Sequence, residues 1–440
     1  MNWYLNLYRG KYNIKLTNIV AMKNLGGIKN DQNGILNNGV ICPIPWIHFV
    51  AYPNGTAQIC THQSNYSTCT GNIFDNSFEE IMNHENLRKL RSDMLTGKKN
   101  SLCSNCHAFE KASKGFSPRT TYLQKYTHHL LNGISNTKVD GEFDYKYFKF
   151  IFWNFKISGV CNLKCRTCHP HFSTSIYTEQ KNNNLLSDID LLDFMKIRKN
   201  LPLVMTEILK HIEHVEEIHF VGGEPMLMNE HWQILEALIE NKRTDVRLAY
   251  HTNLTKLIFK NKHVFDFWKQ IKASIWVSPS IDAYNEKNEY IRDGANWETL
   301  NDKLDKVLEL RKELKNLTVV PTITVSVLNV YYIDELIDYL YSKNVDNVNF
   351  NIVRFPSYFH ISLLPNHLKK DALKKLEKCI EKNNLEDDIF NLFKSEIFNA
   401  EVQNNRKDLL KQLKDETLKL DEIRCRNFPD IFPDLYDLVK

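Results

Sequence analysis

Cys161, Cys165 and Cys168 stand in a C-x3-C-x2-C run inside WNFKISGVCNLKCRTCHP, residues 153–170. Thiolates this close together bind metal. Three of them can ligate three irons of a cubane cluster and leave the fourth iron open to a small chelating molecule. An open coordination position suits chemistry, because structural metal sites are normally closed. The same run also admits a zinc ion with His169 or His171 as fourth ligand. Ahead of it, the apolar and aromatic segment Tyr147 to Ile157 reads as a buried strand, which Ser158 and Gly159 break into a loop.

A second motif lies downstream. Glu217 to Val221 reads as a short strand running into Gly222, Gly223, Glu224 and Pro225. The two glycines permit close backbone approach to a ligand, and the Glu224 carboxylate can accept from an ammonium group. A cysteine triad after one strand followed by GGEP after the next resembles the radical S-adenosylmethionine (SAM) superfamily. The resemblance implies a 4Fe–4S cluster on Cys161, Cys165 and Cys168, with SAM chelating the open iron. It places Gly222, Gly223 and Glu224 around the SAM amine, and favours the cluster over zinc.

Four further cysteines fall near the N-terminus. CPIPWIHFVAYPNGTAQIC reads as two short strands about a Pro53-Asn54-Gly55 turn, with Cys42 and Cys60 at the outer ends. Ser77 to Glu80 form a capping-box signature, and an apolar helical face runs to Leu95 before Gly97. Cys103 and Cys106 follow as C-x2-C. These four make a complete tetrathiolate set whose spacing allows zinc or iron–sulfur. CPIPW, the PNG turn, GNIFDNSFEEI, Leu90-Arg91-x2-Met94 and Cys103/Cys106 resemble the twitch domain, the shortened form of the SPASM auxiliary-cluster domain. The resemblance implies an auxiliary 4Fe–4S cluster on Cys42, Cys60, Cys103 and Cys106. Twitch domains usually follow the radical SAM core; here the order is reversed. Cys69 reads as a bystander, Cys379 as core, and Cys425 has basic neighbours but no visible partner.

Other candidates sit at strand ends. Ser278, Ser280 and Arg292 resemble the fourth-strand SAM-contacting region of the superfamily, and Asn253 and Asn329 close the third and fifth strands. Many relatives carry an aromatic before the last cysteine. Here that residue is Thr167, and Phe172 is a candidate substitute for covering the adenine.

The elements that must position these residues are of α/β type. Strand-like stretches at 148–157, 216–221, 245–251, 273–281, 317–327 and 347–353 alternate with amphipathic ones, as parallel β/α units do. Six such units match the superfamily's partial (β/α)6 barrel, with function expected at the C-terminal strand ends. The expected division is a polar lead-in 1–40, a cluster domain 41–110, a linker 111–145 with a short helix and surface histidines His128 and His129, a barrel 146–365 and C-terminal helices 366–440. An insertion at 175–214 has helical spacing.

Composition bounds the function. Fifty-seven Lys plus Arg nearly balance fifty-three Asp plus Glu, so nothing points to nucleic acid. No apolar run is long enough for a membrane span, and clustered cysteines without a signal-peptide pattern fit a reducing cytoplasm. The resemblance implies an oxidoreductase-type radical enzyme fed by an external one-electron donor of flavodoxin or ferredoxin type. Its expected work is oxidation or cross-linking of a peptide or protein side chain, with the auxiliary cluster as electron acceptor. Dehydrogenation of a sugar or other small alcohol is the alternative activity, and a non-catalytic metal-stabilised binding protein the alternative class.

Overall fold

The computed structural model describes residues 38–112, 117–156, 158–186 and 200–440. The expected lead-in therefore falls, up to residue 37, outside the described residues, as does part of the 175–214 insertion.

Thirteen strands follow one another: β1 Val50–Ala51, β2 Ala57–Gln58, β3 Phe152–Phe155, β4 Lys164–Cys165, β5 Glu217–Phe220, β6 Arg247–Thr252, β7 Ile258–Phe259, β8 Lys262–His263, β9 Ile275–Pro279, β10 Arg292–Asp293, β11 Leu317–Val319, β12 Thr322–Val325 and β13 Asn349–Ile352. The main sheet runs β11-β9-β6-β5-β3-β1-β2. It is parallel from β11 to β1 and turns antiparallel only at the β1–β2 hairpin. β12 and β13 form a parallel pair, joined to the end of β9 by the Ser280–Thr322 bridge. The six expected units are thus present. The single strand expected over 317–327 is two short ones, split at Val320-Pro321, because proline has no amide to donate to a ladder.

Register explains the sequence pattern. Trp153, Ile218, Leu248 and Ile275 lie side by side across β3, β5, β6 and β9, and all are buried. One residue on, Asn154, His219, Ala249 and Trp276 form the next row. Phe220 sets its ring against His231 of the outer helix Asn229–Glu240, so the apolar rows face the helices. Alternation turns the polar row inward.

The N-terminal segment joins this sheet. Ala51 of β1 registers with Phe155 of β3, so the cysteine-rich segment extends the barrel sheet at its first edge. The expected strand at CPIPW is instead one helical turn, Ile44–Ile47, started by proline. Arg91, fully buried, holds that turn by donating to the carbonyl oxygens of Met82, Pro45 and Gly141. The Ser77 capping box forms with Glu80, but the helix beyond is broken in two at Asn83 and His84.

The stretch read as a linker is more than one. It contains an eighteen-residue helix, Pro118–Ser135, that lies on the inner sheet face. Tyr126 Oη donates to Glu217 Oε2 at 3.0 Å, Lys125 Nζ reaches the same carboxylate at 2.8 Å, and Tyr122 and Tyr126 meet Phe152. The longest C-terminal helices are Asn366–Asn383, Asp387–Ile397 and Arg406–Arg424; the last returns to the Cys161 loop, and the short helices Phe428–Ile431 and Pro433–Leu438 follow it. Among the described residues no helix is long and apolar enough to cross a membrane.

Candidate active site

β3 carries the chain into the Cys161 loop, and β5 carries it into Gly222-Gly223-Glu224. The two loops are joined through backbone: Gly223 N donates to Ser158 O at 3.1 Å and Glu224 N to Val160 O at 2.7 Å. That contact requires glycine. A Cβ on Gly223 would fall 2.2 Å from Val160 O, and one on Gly159 2.4 Å from His171 O. Gly222 has a φ of +112°, open to glycine and strained for other residues.

Cys161 is held by Thr174, whose Oγ1 accepts from the Cys161 amide at 3.2 Å and donates to its carbonyl at 3.0 Å. Cys165 lies in β4, antiparallel to β10 and opposite Arg292. Burial and the charge of Cys165 push the Cys161 thiol up to about 12; burial also raises Cys168, with Cys165 and Cys161 adding to it. Three thiols that repel one another as thiolates form a donor set suited to a cationic iron cluster. Amides of Leu163 and His169 favour the thiolates of Cys161 and Cys168 by hydrogen bonding. Asn253 Nδ2 sits 3.7 Å from Cys161 Sγ and donates to Asn162 Oδ1 at 3.1 Å, so it lies beside a thiol.

Glu224 is fully buried. Its Oε1 accepts from Met226 N at 3.1 Å and Thr252 Oγ1 at 2.7 Å, and its Oε2 from Asn253 N at 2.6 Å. Burial outweighs these donors and lifts its carboxyl to about 7. Arg292 Nη1 donates to Asp282 Oδ2 at 2.9 Å, which fixes the guanidinium beside the cysteine loop. Ser280 is half-buried at the end of β9 and bonds through its amide to Thr252 O. Ser278 faces elsewhere: its hydroxyl donates to Val320 O at 2.7 Å and lies 2.6 Å from Thr322 Oγ1. Asn329 is also turned inward, with Nδ2 donating to the carbonyls of Asp282 and Thr324 and Oδ1 accepting from Ser326 N. The structure thus brings Gly222, Gly223, Glu224, Arg292 and Asn253 to the cysteine loop and engages Ser278 and Asn329 within the strand ends. Phe172 meets Tyr52 of the N-terminal hairpin edge-on, ring centroids 6.2 Å apart.

A group of charges that sequence reading missed locks the loop from behind. Arg166, between Cys165 and Cys168, is buried; its Nη2 donates to Asp421 Oδ1 and its guanidinium lies 3.7 Å from the Tyr290 ring centroid. Asp421 also accepts from Tyr290 Oη at 2.6 Å and Phe428 N at 2.7 Å. Alongside, Glu179 accepts from Lys164 Nζ at 2.9 Å and Arg424 Nη2 at 2.7 Å, and Lys164 reaches Asp293 at 2.8 Å. Arg166 was a legible signal, as a cation enclosed in a thiol loop; its partner 255 residues away was not. Asp421→Ala leaves a buried guanidinium uncompensated and should cost about 3–5 kcal/mol, read as a lower denaturant midpoint with unchanged slope.

Cys42, Cys60, Cys103 and Cys106 lie near enough for their charges to act on one another. Burial raises Cys42 well above its ordinary value, and the charges of Cys103, Cys106 and Cys60 add to it. Burial likewise lifts Cys60, Cys103 and Cys106 to about 12. Amides of Ile44, His62, Gln63 and Arg119 point at sulfurs of this set. Among the described residues no three cysteine sulfurs lie within 4.8 Å of one another. A single tetrahedral zinc, at ~2.3 Å from each sulfur, would hold them ~3.8 Å apart. Four buried thiols with amides aimed at their sulfurs form a donor set that an iron–sulfur cluster suits. His128, His129 and Glu216 form a separate, partly exposed group at the opposite end of β5, where both imidazoles meet one carboxylate oxygen.

Residues 155–340 match the family model of the radical SAM superfamily, and residues 42–107 match an iron–sulfur cluster-binding domain, SPASM. The uncharacterized protein MJ0907 of Methanocaldococcus jannaschii is 24% identical over 216 residues, which span 48% of this chain and 65% of that protein. Of solved structures, native anSMEcpe with bound AdoMet is 18% identical with a TM-score of 0.34, covering 52% of this chain and 59% of that one. Streptococcus suis SuiB bound to S-adenosylmethionine is 13% identical with a TM-score of 0.33, covering 69% and 63%.

Proposed function

This chain belongs to the radical SAM superfamily and carries its SPASM-type iron–sulfur domain ahead of the barrel, and we propose that it oxidises or cross-links a peptide or protein side chain. One observation supports the reading above others. The strand that enters the Cys161 loop and the hairpin that leads to Cys60 are hydrogen-bonded neighbours in a single sheet, which supports a reaction that uses both cysteine sites. The cofactors are SAM and iron–sulfur clusters. Once bound, they supply a 5′-deoxyadenosyl radical that takes a hydrogen atom from substrate, and a protein-ligated cluster able to hold the electron released by a net oxidation.

The chain's own residues do the positioning. Cys161, Cys165 and Cys168 hold the SAM-binding cluster, and Cys42, Cys60, Cys103 and Cys106 the auxiliary one. Gly222 and Gly223 bring backbone close, Glu224 would hold the SAM ammonium, and Arg292, beside the cysteine loop, and Ser280, at the end of β9, are the candidates for the rest of the cofactor. Asn253 steadies Cys161. The inner row of Asn154, His219 and Trp276 lines the floor beneath, and the helix Pro118–Ser135 packs against the far ends of β3 and β5 through Tyr122, Lys125 and Tyr126. An external flavodoxin- or ferredoxin-type protein supplies the electron.

Glu224 attracts an ammonium only when ionised, and burial lifts its carboxyl to about 7. SAM affinity is therefore expected to weaken as pH falls below about 7, measured by equilibrium binding to the reconstituted protein. Glu224→Ala should lower affinity roughly tenfold to a thousandfold at pH 8, from loss of a charge-assisted partner to a desolvated ammonium. It should also flatten the pH dependence. Unchanged affinity would exclude Glu224 from the amine site.

The function itself is tested by anaerobic incubation of reconstituted protein with SAM, reductant and a library of short peptides. Loss of two hydrogens from a peptide, matched to 5′-deoxyadenosine formed, is the expected result. Turnover only with a sugar or small alcohol would move the assignment to the alternative dehydrogenase reading.

A further inference from the structure

Lys156 occupies the junction of the two cysteine sites. It follows β3 directly, and its Cα lies 3.3 Å from where a Cβ on Gly222 would stand, so its backbone abuts the GGEP loop. Its side chain points the other way, toward the N-terminal domain. Nζ lies 5.3 Å from the ring centroid of Tyr52, the residue between β1 and the turn whose return strand leads to Cys60. Tyr52 in turn touches Phe172, just past the Cys168 loop.

The surroundings of this ammonium are short of negative charge. Among the described residues no carboxylate is ion-paired with Lys156; burial lowers its ammonium to about 8, which still leaves it charged at neutral pH, and the Cys60 sulfur, when ionised, pulls it back up. His48 and His251, whose imidazoles feel its charge, are held neutral by burial, at about 3. An ammonium half-buried against an aromatic ring, without a carboxylate, is unfavourable unless something nearby carries negative charge. A four-iron cluster bound by four thiolates has net negative charge, and more when reduced. A fixed cation on one side of it favours the reduced state and raises its reduction potential.

We propose that Lys156 is the counter-charge of the N-terminal cluster and raises that cluster's reduction potential on the side facing the SAM loop. The inference rests on reading Cys42, Cys60, Cys103 and Cys106 as an iron–sulfur site. It adds to that reading one residue, contributed by the barrel, through which the electron affinity of the auxiliary centre is set. Lys156 acts through the cluster and not on substrate, so it is a positioning residue.

The test is a potentiometric titration of the reconstituted full-length protein, followed by electron paramagnetic resonance. Added SAM perturbs the signal of the Cys161 cluster alone and so tells the two centres apart. Lys156→Met, which keeps the apolar stem and removes the charge, should shift the N-terminal midpoint to more negative potential with iron content and the Cys161 signal unchanged. Lys156→Arg should return it toward wild type. Equal N-terminal potentials in wild type, Lys156→Met and Lys156→Arg would overturn the inference while leaving the iron–sulfur reading intact. A variant that loses N-terminal iron would show that Lys156 is needed for assembly instead, and would also overturn it. Wild-type protein with no N-terminal iron would overturn both.

Discussion

Replacing Cys161, Cys165 and Cys168 together by alanine should abolish 5′-deoxyadenosine formation while leaving the N-terminal site loaded. The expected loss is complete, because a cluster closed by four protein thiolates at the N-terminal site would offer SAM no open iron and could not stand in for the missing one. Folding should survive. The loop is anchored through its backbone to Gly223 and Glu224 and through Arg166 to Asp421, and none of these contacts uses a sulfur. The measurement is 5′-deoxyadenosine by chromatography after anaerobic reduction, beside iron content. Wild-type amounts of product in the triple variant would remove the cysteine loop from the chemistry.

Cys103→Ala is the second large effect, and it separates two activities. Reconstituted wild type should carry about eight irons per chain and the variant about four. Metal held by four thiolates contributes directly to folding, so the N-terminal domain should also unfold at lower denaturant. SAM cleavage should persist, because the Cys161 loop belongs to a different part of the sheet. Net oxidation of substrate should fail, since the released electron has no acceptor. Stoichiometric zinc in anaerobically purified protein, or full substrate oxidation by the variant, would reduce the domain to a structural clamp.

The candidate site was legible in the sequence wherever short spacing governs geometry. Three cysteines within eight residues converge whatever surrounds them, and Gly222 and Gly223 announce a close approach because no other residue tolerates it. The six β/α units were legible through their apolar strands. Illegible features depend on partners far apart in the chain. Ser278 looked like a ligand-facing hydroxyl, but Pro321 splits the following strand and leaves Val320 O as its acceptor. Asn329 has the right residue type, yet its amide is taken by the carbonyls of Asp282 and Thr324. CPIPW read as a strand because its apolar run is too short to show a period, and Arg91 holds it as a helical turn. The helix Pro118–Ser135 was underestimated because its polar residues meet buried partners, such as Lys125 with Glu217.

The bond between Arg166 and Asp421 bears on how the protein is made. The two residues are 255 positions apart, so a ribosome working at ~5–20 residues per second needs roughly 10–50 s to produce the second after the first. Through that interval the cysteine loop exists without its rear support, its thiols accessible to stray metals and oxidants. The N-terminal four-cysteine segment, whose ligands all lie within residues 42–106, has no such wait. Translation thus completes the surroundings of the N-terminal cysteines well before those of the Cys161 loop.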